Sequence, residues 1–223
     1  MLKFSLMKEQ LQESHKFRTW KRNLIKNGLE IHEIEEVFTR YRHNGEALFS
    51  LVLLDASTPE GDKIPPICFI KGEVVSVLIC LIDEQSAEKF LLLVKQRRIC
   101  NGDYIYEQVA GMVDKDDDPW DVAVREAEEE TGVKLQRKQL HKLNSDMLFA
   151  SSGTSDEAFH FFYCEISMSR AQIMSYHNQK MGIASEHERI YTHVASISES
   201  LKLITNTNGL LNIYMYLEAV GSF

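Results

Sequence analysis

The sequence predicts an α+β protein, a mixed sheet with helices packed against it, and three observations predict it. Apolar β-type segments crowd residues 47–110, a segment with sharp helix start and stop signals covers residues 118–132, and the chain closes on an amphipathic stretch at residues 209–220. At 223 residues the chain holds one generous domain, or a domain of about 150 residues with a smaller partner.

Residues 10–29 mix charged and apolar side chains without strong order, and residues 29–42 read as a strand or a short helix. Residues 47–55 (ALFSLVLLD) form a strand, and STPEGDKIPP after it carries the Pro and Gly of a turn or linker. A boundary near residues 56–66 is therefore expected. Next come strands at 74–82 (VVSVLICLI) and 89–96 (KFLLLVKQ), joined by the hairpin loop DEQSAE, and a further strand at 104–110 (YIYEQVA). The chain then turns helical. Asp118 suits an N-cap, Pro119 the first helical position, and Gly132 the left-handed residue that ends a helix. Strands at 158–166 and 189–194 precede the closing segment, whose Leu210, Leu211, Ile213, Tyr214, Tyr216 and Leu217 suit an amphipathic helix.

Composition narrows the function classes. With 44% hydrophobic and 26% charged residues the chain is neither disordered nor fibrous. A net charge of -8 argues against general attraction to nucleic acid, so an anionic substrate needs local help, and metal ions are one source. The four cysteines, Cys68, Cys80, Cys100 and Cys164, show no zinc-ligand spacing and read as reduced core thiols. The first residues lack the apolar run of a signal peptide, and no stretch approaches a membrane span. A soluble cytoplasmic protein is expected, with neither nucleic acid nor membrane as partner.

The informative segment is GMVDKDDDPWDVAVREAEEETGV, residues 111–133, the most acidic stretch of the chain. At about 100° per residue around a helix, Glu126 and Glu130 lie about 40° apart and Glu129 about 60° to the other side of Glu126. Like charges at this spacing repel, so something must offset them. Val122, Ala123 and Ala127 give the helix an apolar surface to bury, which fixes the carboxylates in place. Hard oxygen ligands on a rigid helix suit divalent cations such as magnesium, whose remaining positions are filled by water and phosphate. The bland alternative is a solvated acidic face.

The segment resembles the Nudix box: a glycine, an early glutamate, then Arg-Glu, an aliphatic residue, Glu-Glu, a glycine and an aliphatic residue. Here those positions are Gly111, Asp117, Arg125, Glu126, Ala127, Glu129, Glu130, Gly132 and Val133. Asp117 departs from the glutamate the family prefers, which puts local geometry and rate in question, and Ala127 is a small version of the aliphatic position. The resemblance implies a Nudix fold, an α/β/α sandwich with a mixed sheet, over residues 66–223. It implies that Glu126 and Glu130 ligate metal, with Glu129 as a further ligand or water contact, and that the Ala110 carbonyl completes the shell. Gly111 lets backbone and ligand approach closely. Arg125 braces the acidic face, and Asp117 and Gly132 are structural. Magnesium is the implied cofactor, with manganese as a substitute.

Residues 45–220 are similar to the branch of the family that hydrolyses ADP-ribose and ADP-sugars. KQRRICNGDYIYEQVAGM resembles the branch's segment in which a basic residue follows a strand: Arg98, or Arg97 as alternate, would contact the diphosphate, and Glu107 would contact substrate or a structural partner. Arginine suits that task because its planar fork binds phosphate oxygens two at a time. FASSGTSDEAFHFFYCEI resembles the branch's Ser-Pro-Gly loop, with Ser152 where proline is common, so Ser152 and Gly153 would border the sugar or terminal phosphate. SEHERIYTHV resembles the late loop that delivers a catalytic glutamate. There Glu188 would ligate metal and Glu186 take a proton from water, with these roles exchangeable.

The implied reaction is magnesium-dependent hydrolysis of the diphosphate of a nucleoside diphosphate sugar, giving a nucleoside monophosphate and a sugar phosphate. UDP-sugars, other nucleoside diphosphate derivatives, or a noncatalytic nucleotide-sugar sensor are the rivals. In the branch, residues corresponding to 1–65 form a small β-rich dimerisation region, which implies a homodimer.

Overall fold

A computed structural model describes residues 8–114, 117–182 and 189–222. It divides into two compact units. The first comprises Met1–Glu73, Val113–Asp116 and Leu148–Phe159, and the second Val74–Met112, Asp117–Met147 and His160–Phe223.

The first unit opens with helices α1 (Glu9–Glu13) and α2 (His15–Lys26), followed by strands β1 (Glu30–Tyr41), β2 (Ala47–Ser57) and β3 (Ile67–Ile70). The strands form an antiparallel sheet in the order β1-β2-β3. Leu11, Phe17 and Trp20 from the helices share its core with Ile34, Val52 and Ile70. Most of residues 10–29, which carry no clear pattern in the sequence, is therefore helical, up to Lys26: Phe17, Trp20 and the partly buried Leu24 recur at three- and four-residue steps and bury one face. β3 follows Pro65 and Pro66 directly and is too short to show a period.

The second unit is built on a larger sheet. Strands β4 (Glu73–Asp83), β5 (Lys89–Arg97), β6 (Tyr104–Glu107) and β7 (Val109–Met112) lead into helix α3 (Pro119–Thr131). Short strands β8 (His141–Lys142) and β9 (Leu148–Phe149) precede β10 (Ala158–Met168), helix α4 (Arg170–Ser175), β11 (Lys180–Met181), β12 (Ile190–Ser196), and helices α5 (Ile197–Leu203) and α6 (Thr207–Ala219). The main path runs β11-β12-β5-β4-β10-β8. Most pairings are antiparallel. β10, however, runs alongside β4 in the same direction: Ala158 N donates to Gly72 O at one end, and Glu84 N donates to Met168 O at the other. The sheet is thus mixed, as the sequence predicts.

Helices cover both faces. Leu78, Cys80, Leu91 and Leu93 meet Ile213 and Tyr216 of α6, while α3 lies against β7, β5 and β12. This is why β4 reads as an unbroken apolar run and not as an alternating one. β6 and β7 split the expected 104–110 strand at Gln108, β6 pairing with β5 and β7 with β4. The expectation of core thiols is met at Cys68, Cys80 and Cys164, which are buried, and corrected at Cys100, which lies between β5 and β6 and is exposed. Among the described residues no helix is long and apolar enough to cross a membrane.

Candidate active site

The geometry of α3 starts at its ends. Asp118 Oδ1 accepts a hydrogen bond from Trp120 N at 2.8 Å, and Pro119 occupies the first turn. That backbone bond, with Arg137 Nη2 at 3.0 Å from Asp118 Oδ2, holds the Asp118 carboxyl below its usual range. Gly132 ends the helix at φ 75, in the left-handed region where a Cβ is disfavoured. Between the ends, Val122, Ala123 and Ala127 are completely buried, so the helix cannot roll.

With the apolar face locked, the acids have little freedom. Glu130 is only 5% exposed, and its Oε2 accepts from Ala110 N at 3.1 Å. Glu126 lies against Gly111: a Cβ on that glycine would stand 2.2 Å from Glu126 Oε1. No side chain larger than hydrogen fits there unless the carboxylate moves. Arg125 Nη2 lies 3.3 Å from Glu126 Oε1, and its Nη1 lies 3.6 Å from Asp117 Oδ2. Partial burial lowers the Arg125 pKa, but Glu126, Asp117 and Glu129 outweigh it, and the guanidinium is held above its usual value. Asp117, one methylene shorter than the family's glutamate, still reaches Arg125. Glu129 is half-buried on the other side of Glu126.

Among the described residues no three Asp, Glu, His or Cys side chains converge closely enough to enclose an ion. The acids form a row along the helix. Such a row fits a cation that keeps water and phosphate in its shell, and the donors are hard oxygens of the right kind. The space kept open at Gly111 fits as well, since it brings the Glu126 carboxylate onto the backbone beside Ala110.

A second group gathers on the β5–β6 hairpin. Arg98 Nε donates to Glu107 Oε2 at 2.6 Å, and Asn206 Nδ2 donates to Glu107 Oε1 at 3.2 Å. Both Glu107 oxygens are therefore engaged by protein groups, which orients the guanidinium through one edge and leaves its terminal amino groups outside that bond. Arg97 is arranged differently, its guanidinium lying 4.6 Å from the centre of the Tyr104 ring and bonding to Gly102 O. Asn206 escapes sequence reasoning, because an asparagine before a helix signals a cap; here its side chain makes no cap bond and turns to Glu107 instead.

The structure brings together Ala110, Gly111, Asp117, Arg125, Glu126 and Glu130, and separately pairs Arg98 with Glu107. Ser152 and Gly153 are exposed in a turn closed by Thr154 N to Ser151 O at 3.0 Å, and they belong to the first unit. Glu186 and Glu188 lie outside the described residues.

The family model of the NUDIX domain matches residues 72–199, and the chain belongs to the Nudix hydrolase family. It is 28% identical over 221 residues to Nudix hydrolase 14, chloroplastic, of Arabidopsis thaliana, a match covering 92% of this chain and 70% of the plant protein. It is 33% identical over 133 residues to the ADP-ribose pyrophosphatase of Haemophilus influenzae, covering 56% of this chain and 55% of that protein. A crystal structure of an ADP compounds hydrolase superposes with a TM-score of 0.58 at 16% identity, covering 88% of this chain and 97% of the other. At that identity the likeness speaks for the fold.

Proposed function

We propose that the chain is a magnesium-dependent pyrophosphohydrolase acting on a nucleoside diphosphate sugar of the ADP-sugar or ADP-ribose type, with manganese as a substitute cation. The observation that carries this reading is the fixing of Glu126 and Glu130 against Gly111 and Ala110, two carboxylates held at one stretch of backbone by a helix that cannot roll. The names of the Haemophilus relative and of the superposed hydrolase support the substrate class.

Bound magnesium would lower the pKa of a coordinated water and offset charge on the diphosphate. Glu126 and Glu130 would hold it, with Glu129 and the Ala110 carbonyl beside them. Arg98, oriented by Glu107, would bind phosphate oxygens through its terminal amino groups. Arg97 is its alternate, and Ser152 and Gly153 would border the sugar. Water adds across the P–O–P bridge, one phosphorus keeping the water oxygen and the other keeping the bridging oxygen. From the resemblance, Glu186 would take the water proton and Glu188 would ligate metal, with these roles exchangeable.

The test is monophosphate release from a panel of ADP-ribose, ADP-sugars and UDP-sugars with magnesium, with Glu130→Gln as the control. Release from the ADP compounds, reduced at least about 100-fold in the variant, is expected. Turnover of UDP-sugars alone would move the substrate, and full activity in Glu130→Gln would remove the mechanism.

We also propose a homodimer through the N-terminal region, residues 1–65. Phe38, Leu53 and Ile67 are 56%, 39% and 38% exposed on the open face of its sheet, and a second copy would cover them. A monomeric mass in solution contradicts this.

A further inference from the structure

Lys16 is an unusual place to spend a lysine. It sits on α2 at 7% exposure, its stem packed on Gly72, where a Cβ would come within 3.3 Å of its Cγ and Cδ. Its ammonium donates to Leu48 O at 3.2 Å and pairs with Asp114 Oδ1 at 3.5 Å. Burial pushes its pKa down, while Asp114 pulls it back up. The other Asp114 oxygen, Oδ2, lies 3.3 Å from Arg42 Nη2. One short aspartate thus takes a separate cation on each oxygen, one of them buried at a desolvation cost that an apolar residue would avoid.

Asp114 lies inside the signature segment, between Gly111 and Asp117, at a position whose residue type the Nudix box leaves open. Val113 and Asp114 pack as part of the N-terminal unit, and Val113 N donates to Glu73 O at 2.9 Å in that same unit. Val113 and Asp114 are therefore each held by N-terminal residues, Val113 by its backbone and Asp114 by its carboxylate.

We propose that Lys16 and Arg42 are positioning residues: by clamping Asp114 they hold the signature loop where it leaves Met112, at the residues that follow Gly111 in the chain. Neither cation touches substrate. The inference rests on the pyrophosphohydrolase reading for its activity readout, and on the clamp alone for its structural one.

The decisive variant is Asp114→Asn, which keeps shape and removes the charge, with Lys16→Met, Lys16→Arg and Arg42→Gln beside it. Four readouts apply to the full chain: melting temperature, kcat against KM, magnesium binding by calorimetry, and hydrogen exchange of amides 111–118. For Asp114→Asn we expect kcat to fall between about 10- and 100-fold with KM little changed, because the loop is misplaced and not lost. Magnesium binding should weaken and exchange at 111–118 quicken, while Lys16→Arg retains more activity than Lys16→Met. A folded Asp114→Asn protein with unchanged kcat, magnesium binding and exchange overturns the proposal. If the wild type hydrolyses nothing on the panel, the function reading fails alone, and exchange still decides the clamp. Should Lys16→Met not fold, Asp114→Asn and Arg42→Gln decide it.

Discussion

Two stretches of this chain carry similar densities of acid, and the structure treats them in opposite ways. EIHEIEE in β1 places Glu30, Glu33 and Glu35 in open solvent. REAEEE in α3 buries Glu130 and presses Glu126 on a glycine. The β1 acids sit on the edge strand of their sheet, and Glu33 faces Asp55 across the ladder, where the Lys63 ammonium pairs with Asp55 and water screens the exposed charges. Charge on an edge strand discourages pairing with another chain, which explains those acids without any ligand. The α3 acids have no such explanation. A buried carboxylate must be offset, and Glu130 draws part of that from the Ala110 amide. Acid density therefore carries no functional information by itself; the information lies in acids that an apolar face and a glycine hold out of water.

The largest effect expected from this contrast is at Gly111. In Gly111→Ala the new Cβ would stand 2.2 Å from Glu126 Oε1, far inside contact distance, so the carboxylate or the strand must shift. We expect kcat to fall at least about 100-fold, as for a misplacement near 1 Å, and stability to fall by about 1–3 kcal/mol through overpacking. The matched change in the other stretch, Glu35→Gln, should leave kcat alone and alter stability by no more than about 0.5 kcal/mol. Steady-state kinetics and thermal melts on both variants check this. Equal losses in the two would erase the distinction between them.

The same contrast shows what was legible beforehand. The ends of α3 could be read because Asp118, Pro119 and Gly132 act locally, each through its own backbone. The acidic row could be read because it obeys the helical period. Arg98 with Glu107 could not be paired from sequence, since the hairpin turn between them decides whether the two side chains meet. The grip of Lys16 and Arg42 on Asp114 joins segments distant in the chain, and nothing local marks Lys16 as buried. Helix α2 is obscured in the sequence because charged side chains adjoin Phe17 on both sides and Trp20 on one. Local chemistry writes itself into sequence, and tertiary partnership does not.

A smaller effect separates holding the helix from holding the site. Asp118→Ala removes the cap on Trp120 N and the pairing with Arg137, and should cost about 1 kcal/mol. Activity should fall far less than in Gly111→Ala, because Val122, Ala123 and Ala127 still lock the helix in place. The pH dependence has a definite sign. The Asp118 carboxyl is depressed in the folded chain, first by the Trp120 amide and then by Arg137. Its contribution is therefore complete above the ordinary aspartate value of about 3.9 and is lost as pH falls through the lower folded value. Asp118→Asn keeps an acceptor for the cap but carries no charge, so its melting temperature should lie slightly below wild type at neutral pH. The two curves should converge as the solution becomes more acidic than the aspartate range. A gap that persists unchanged through and below that range would show that the charge of Asp118 contributes nothing and that the cap acts by its hydrogen bond alone.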